Sequence, residues 1–225
     1  MPSPFLGPMT WAGVADELRA AGHEVAVSAP EPLVAPPHRP VFVEAAVRAA
    51  TGGVDALVGY SGSGPLLPAV AARLPGVRAA VFVDAALPHL RMPPERLAAQ
   101  RAMAVDGWLP PWHEWFPPSA LRDLVPDDGR RGRFVAELRP FPLAYFDEPA
   151  GPAHGLPARC GYLRLSSAYD AECAEARRLG WDVLREESDH LAPLTRPGGV
   201  AAAIRELLSS QSEWPAGGPA RGVAP

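Results

Sequence analysis

The spacing of apolar positions along the chain switches repeatedly between a helical and an extended period. From Thr10 to Ala21, TWAGVADELRAA puts Trp11, Val14, Ala15 and Leu18 on one stripe three and four residues apart, which predicts a helix with one buried face. Gly22 follows, suited to the left-handed turn that ends a helix. GHEVAVSAP then reads as a short strand, VFVEAAVRAA as a second helix closed by Gly52 and Gly53, and DALVGY as a strand whose nearly unbroken apolar run suits burial on both faces. The alternation continues through helix GPLLPAVAARL and strand RAAVFVDAA. It is lost from residue 88 to 158, then resumes with strand CGYLRLS, helix AECAEARRLG, strand WDVLREE and a last helix GVAAAIRELL.

Strands and helices alternating through short Gly-containing joints predict an α/β fold, a predominantly parallel sheet with helices on both faces. The interrupted segment, rich in proline and aromatic residues and without a strand signal, reads as a mainly helical cap inserted between two strands. The expected division is a core formed by 1–87 and 159–208, a cap at 88–158, and a polar tail rich in Pro and Gly at 209–225 that is expected to be disordered. At 225 residues the chain is long enough to bury one sizeable core.

Composition excludes several chemistries. All 21 basic residues are arginine, so a P-loop lysine, a Schiff-base lysine and a lysine general base are ruled out together. A net charge of -4 gives no reason to expect nucleic acid or a membrane surface as partner. Cys160 and Cys173 lack metal-site spacing and are too few for a disulfide framework, so two free thiols in a reducing compartment are expected. No signal-peptide pattern and no membrane-length apolar run is present, which points to a cytoplasmic protein. Neither a cofactor nor a metal is expected, and a homodimer is one option for the oligomeric state.

The strand-to-helix joint GYSGSG, residues 59–64, carries the candidate chemistry. The dinucleotide fingerprint fails because the sixth position counted from Gly62 is Leu67, and a Walker A loop fails because Pro65 and Leu66 stand where Lys and Ser or Thr are required. A plain turn or a nucleophile elbow remains. An elbow needs small residues two before and two after the serine, and Ser61 has Gly59 and Ser63 there, whereas Ser63 would have Pro65. Gly62 N–H, directly after Ser61, would then be one oxyanion donor.

A serine nucleophile needs a base, in the chain order serine, acid, histidine. Of six histidines, His190 directly follows the last expected strand, where a loop at the carboxyl edge of the sheet can reach Ser61. For the orienting acid, Asp170 follows the penultimate strand and is preferred, with Asp84 at the end of AVFVDAA as the alternative.

These residues resemble the α/β-hydrolase superfamily, particularly small bacterial members with an elbow like GYSGSG followed by PLLP, over nearly all of residues 3–208. The resemblance implies Ser61 as nucleophile, His190 as base and a carboxylate after the penultimate strand, matching Asp170. SPFLGPMTW looks like the family's oxyanion loop, which implies a second oxyanion N–H from Phe5 or Leu6. The sequence departs from the pattern in lacking the usual N-terminal strands ahead of that loop, and a mis-assigned start is preferred to truncation or a rearranged sheet. In the cap, Trp108, Trp112, Trp115, Phe116, Tyr145 and Phe146 suggest walls for an apolar or aromatic small-molecule substrate, with a core for the cap itself as the alternative. The expected activity is cleavage of a carboxylic ester, thioester or lactone. A lyase, cyclase or C–C hydrolase on the same fold, and a non-catalytic binding protein, are the competing readings.

Overall fold

The computed structural model describes residues 1–149, 151 and 154–210. Its main sheet has four parallel strands, β1 (Ala56–Tyr60), β2 (Ala79–Val83), β5 (Arg159–Arg164) and β6 (Asp182–Arg185), side by side in that order. The chain segment that connects β2 to β5 forms a separate small antiparallel ladder, β3 (Trp108–Leu109) with β4 (Phe141–Pro142).

Side-chain alternation along β2 decides where the helices go, because successive residues of a strand point to opposite faces. Val81 and Val83 meet Trp11, Val14 and Leu18 of helix α1 (Met9–Ala20), Leu194 of the short α8 (Ala192–Thr195), and Val200, Ile204 and Leu207 of α9 (Pro197–Ser210). Ala80 and Phe82 face the other way, onto Phe42 and Ala46 of α2 (Arg39–Ala49), Leu67 and Val70 of α3 (Leu67–Ala71), and Cys173 and Ala176 of α7 (Asp170–Arg178). All five residues of β2 are buried, so both faces of the sheet are covered, as an all-parallel sheet requires. The stripe expected on the first helix is the buried face of α1.

Three expectations are corrected. GHEVAVSAP forms no strand; its Val25 and Val27 pack against the core, but residues 23–30 join no ladder. The outer edge of β1 is engaged instead by Met1, whose N–H donates to Val58 O at 2.6 Å and whose carbonyl accepts from Tyr60 N at 3.2 Å. The cap segment, read as lacking strands, contains the β3–β4 ladder. In its helices α4 (Pro94–Met103), α5 (Pro118–Leu124) and α6 (Asp128–Glu137), the last two pack Leu121 and Phe134 into the cluster that holds α1 and α9. Residues 209 and 210, assigned to the tail from the sequence, belong to α9, which runs through Ser210; the rest of that segment, 211–225, lies outside the described residues. No helix among the described residues is long and apolar enough to cross a membrane.

Both cysteines are free and buried, and burial pushes the Cys160 thiol up to about 12. Since the thiolate is the reactive form at Cys160 and burial keeps a reagent from both sulfurs, the folded protein is expected to resist a thiol-exchange reagent, with both cysteines reacting only after unfolding in urea. Rapid reaction of either cysteine in the native state would show that the β5–α7 packing is wrong.

Candidate active site

At the carboxyl end of β1 the chain must turn from strand to helix within one residue, and Ser61 does this at φ 57°, a left-handed conformation uncommon for a serine. It opens a short 3-10 turn, Ser61–Leu66, that leads into α3. The close packing that this turn needs explains its small residues. A Cβ on Gly59 would lie 2.7 Å from the Leu67 side chain, and one on Gly64 only 1.9 Å from the Ala86 carbonyl oxygen. Ser63 is fully buried; its hydroxyl accepts from Tyr60 N at 2.7 Å and lies 3.0 Å from Tyr60 O, so it ties the turn to its own strand.

The neighbouring strand β2 ends in a second strained residue, Asp84 at φ 42°. The two turns are docked on each other, with Ala86 N donating to Ser61 O at 3.1 Å. Tyr162 of β5 holds the second turn: its hydroxyl donates to Ala85 O at 2.8 Å and accepts from Ala85 N at 3.1 Å. The Asp84 carboxylate is fully buried and accepts from Leu165 N at 2.9 Å, Ser166 N at 3.0 Å and Ser166 Oγ at 2.6 Å.

His190 completes the arrangement, its Nδ1 2.8 Å from Asp84 Oδ2 and its Nε2 3.1 Å from Ser61 Oγ. The loop bearing it is fixed by Tyr60, whose hydroxyl donates to the His190 carbonyl while the two rings stack at 4.8 Å. Serine oxygen, imidazole and carboxylate thus form one continuous hydrogen-bonded run. Asp170, the acid preferred from the sequence, is turned elsewhere. It accepts from Arg164 Nε at 2.8 Å and Arg185 Nη2 at 3.2 Å, and the Arg164 hydrogen bond holds its carboxyl below the usual carboxylate range.

Of the two oxyanion candidates in the loop, Leu6 N–H is committed to Ser3 O at 3.0 Å, which corrects its expected role. Phe5 N–H has only a 3.4 Å contact with Ser3 Oγ. The Phe5 ring lies over the turn at Ser61, where a Cβ on Gly62 would come within 2.7 Å of it. Around that ring stand Trp115 at 5.4 Å and Phe146 at 5.7 Å. Trp112 approaches the imidazole of His190 at 6.3 Å and packs against the half-exposed Phe116 at 5.0 Å. Two of the expected wall residues are placed differently: Tyr145 is buried among Phe42 and Phe141 under the Arg39 guanidinium, and Trp108 is exposed on β3. Tyr169, which the sequence reading did not single out, places its hydroxyl 3.3 Å from Ser61 Oγ and stacks on His190 at 5.2 Å.

No protein-family model matches the sequence, and no curated protein matches it. Solved structures do. An extracellular α/β-hydrolase from a Paenibacillus species, described as sharing structural and functional homology with tobacco salicylic acid binding protein 2, superposes with a TM-score of 0.73 at 19% identity over 92% of this chain and 96% of that one. A pyrethroid hydrolase from Sphingobium faniae gives 0.68 at 17% identity over 95% and 97%. AqdC, described in ring cleavage of the Pseudomonas quinolone signal, gives 0.61 at 16% identity over 93% and 90%. The chain has the α/β-hydrolase fold.

Because the clash at Gly64 is with backbone, no side chain can swing aside to relieve it. Gly64→Ala is expected to destabilise the protein by about 1–3 kcal/mol or more, read from urea unfolding. Wild-type stability in that variant would contradict the close docking of the two turns.

Proposed function

We propose that the chain is a serine hydrolase that cleaves a small apolar or aromatic carboxylic ester, thioester or lactone through an acyl-enzyme on Ser61. The observation that carries this reading is the run from Ser61 Oγ through His190 to the buried Asp84, at 3.1 and 2.8 Å, on a strained strand-to-helix turn. In this reading His190 Nε2 takes the Ser61 proton as Oγ attacks the carbonyl carbon. Asp84, in place of Asp170, keeps the imidazole in the tautomer with hydrogen on Nδ1. The N–H groups of Gly62 and Phe5 receive the charge that develops on the carbonyl oxygen. Collapse of the tetrahedral adduct expels the leaving group, which takes the proton from Nε2, and water repeats the cycle on the acyl-enzyme.

The rings of Phe5, Trp112, Trp115 and Phe146 favour a substrate with a flat or apolar body, since such walls exclude water from the reacting carbonyl. Likeness to the pyrethroid hydrolase and to the Paenibacillus enzyme supports hydrolysis. Likeness to AqdC supports a second reading, cleavage of a ring bond on the same site, because fold alone does not choose the bond broken. Two free, buried cysteines are compatible with the cytoplasmic setting expected from the sequence.

Turnover of p-nitrophenyl esters tests the assignment of roles. Ser61→Ala is expected to reduce turnover to background and Asp84→Asn to lower kcat by about 10⁴-fold. Asp170→Asn should retain near wild-type turnover per folded molecule, with its cost falling on stability through the lost Arg164 partner. Unchanged turnover in Ser61→Ala would sink the hydrolase reading, and loss confined to Asp170→Asn would return the acid role to Asp170.

A further inference from the structure

The hydrogen bonds around Ser61 have a fixed direction. Asp84 only accepts, so the hydrogen of the imidazole sits on Nδ1 and Nε2 presents a lone pair to Ser61 at 3.1 Å. Ser61 has one hydroxyl hydrogen and gives it to Nε2. The 3.3 Å contact between Ser61 Oγ and Tyr169 Oη therefore runs from the tyrosine to the serine. We infer that the Tyr169 hydroxyl is a further catalytic group, which donates a hydrogen bond to Ser61 Oγ in the resting site and to the leaving-group oxygen of the substrate during acylation. This rests on the hydrolase reading of Ser61.

The position of Tyr169 suits that task. It ends the short turn Ser167–Tyr169 directly after Ser166, the residue whose N–H and hydroxyl hold Asp84, so one segment sets both the carboxylate and the phenol. Its ring lies nearly parallel to the imidazole, 10° between planes, which keeps the hydroxyl on the His190 side of Ser61. In the proposed reaction Gly62 and the overlying Phe5 serve the carbonyl oxygen instead. Burial, the largest influence, pushes the phenol up to about 12, so it retains its proton and donates throughout the neutral range.

The step balances without any transfer from the tyrosine. As the Oγ–carbon bond forms from an oxygen lone pair, the carbonyl π pair moves onto its oxygen and the serine proton moves to Nε2. Oγ is then a poorer acceptor, and the Tyr169 O–H is released to the neighbouring ester oxygen. When the carbon–oxygen bond breaks, its electron pair stays on the leaving oxygen. That oxygen takes the Nε2 proton and accepts the Tyr169 hydrogen bond.

Tyr169→Phe keeps the ring stack and removes the hydroxyl. The experiment compares kcat/KM, which reports acylation, for an aliphatic acetate ester and for p-nitrophenyl acetate in wild type and variant. Covalent labelling of Ser61 by a fluorophosphonate monitors the nucleophile in both proteins. The expected result is a loss of about 10²-fold on the aliphatic ester, whose leaving oxygen needs a donor, and little loss on the p-nitrophenyl ester, with Ser61 still labelled. Equal losses on both esters would mark Tyr169 as a structural prop for His190, and no loss on either would remove it from the reaction; both outcomes overturn the inference while leaving the hydrolase reading intact. Failure of the wild type on every ester would overturn the hydrolase reading and this inference with it.

Discussion

A carboxylate with no exposure to solvent is tolerated only if its lone pairs are filled, because an uncompensated buried charge costs several kcal/mol. Asp84 meets that condition with four donors drawn from three residues in two segments of the chain: Leu165 and Ser166 N–H, the Ser166 hydroxyl, and His190 Nδ1. Satisfying this one group closes the end of β2 against the end of β5 and draws the last loop over both. The geometry at Ser61 follows, since the histidine that the carboxylate orients is the one that reaches the serine oxygen.

The same end of the sheet concentrates strain. Ser61 and Asp84, at the tips of adjacent parallel strands, both adopt left-handed conformations, and each turn supports the other through the Ala86–Ser61 hydrogen bond and the contact of Gly64 with the Ala86 carbonyl. Strain of this kind persists where surroundings over-determine it, and here the surroundings are tyrosines. Tyr162 holds Ala85 from both sides of its peptide links, Tyr60 holds the His190 carbonyl, and Tyr169 lies along the imidazole. Burial raises all three phenols above their ordinary range, so each keeps its proton and remains a hydrogen-bond donor.

Much of this architecture was legible in the sequence because apolar periodicity reports burial directly. The four strands of the main sheet, the buried stripe of α1 and the strand-to-helix turn at Ser61 all follow from local patterns. GHEVAVSAP has strand periodicity too, but a strand also needs a ladder partner, which no local pattern specifies. Asp170 was preferred on chain position alone, and its setting in YDAECAEARR is that of an ordinary acidic first helical turn. Asp84 carried the stronger physical signal: it interrupts the apolar run VFVDAAL, where a charge is expensive unless it is used. Gly64 and Tyr169 were not legible, because their roles depend on contacts with Ala86 and Ser61 that only the folded sheet creates. The cap aromatics divided for the same reason, Tyr145 into the core and Trp112 toward His190.

The hydrogen bond between His190 Nδ1 and buried Asp84 sets the imidazole against Ser61 Oγ. The most direct measurement is the rate and site of phosphonylation by a fluorophosphonate, mapped by peptide mass spectrometry in wild type, Asp84→Asn and Asp170→Asn. This arrangement predicts a single adduct on Ser61 that forms far more slowly in Asp84→Asn and at the wild-type rate in Asp170→Asn. An adduct on another residue, or a Ser61 adduct whose rate ignores the loss of the Asp84 carboxylate, would contradict it.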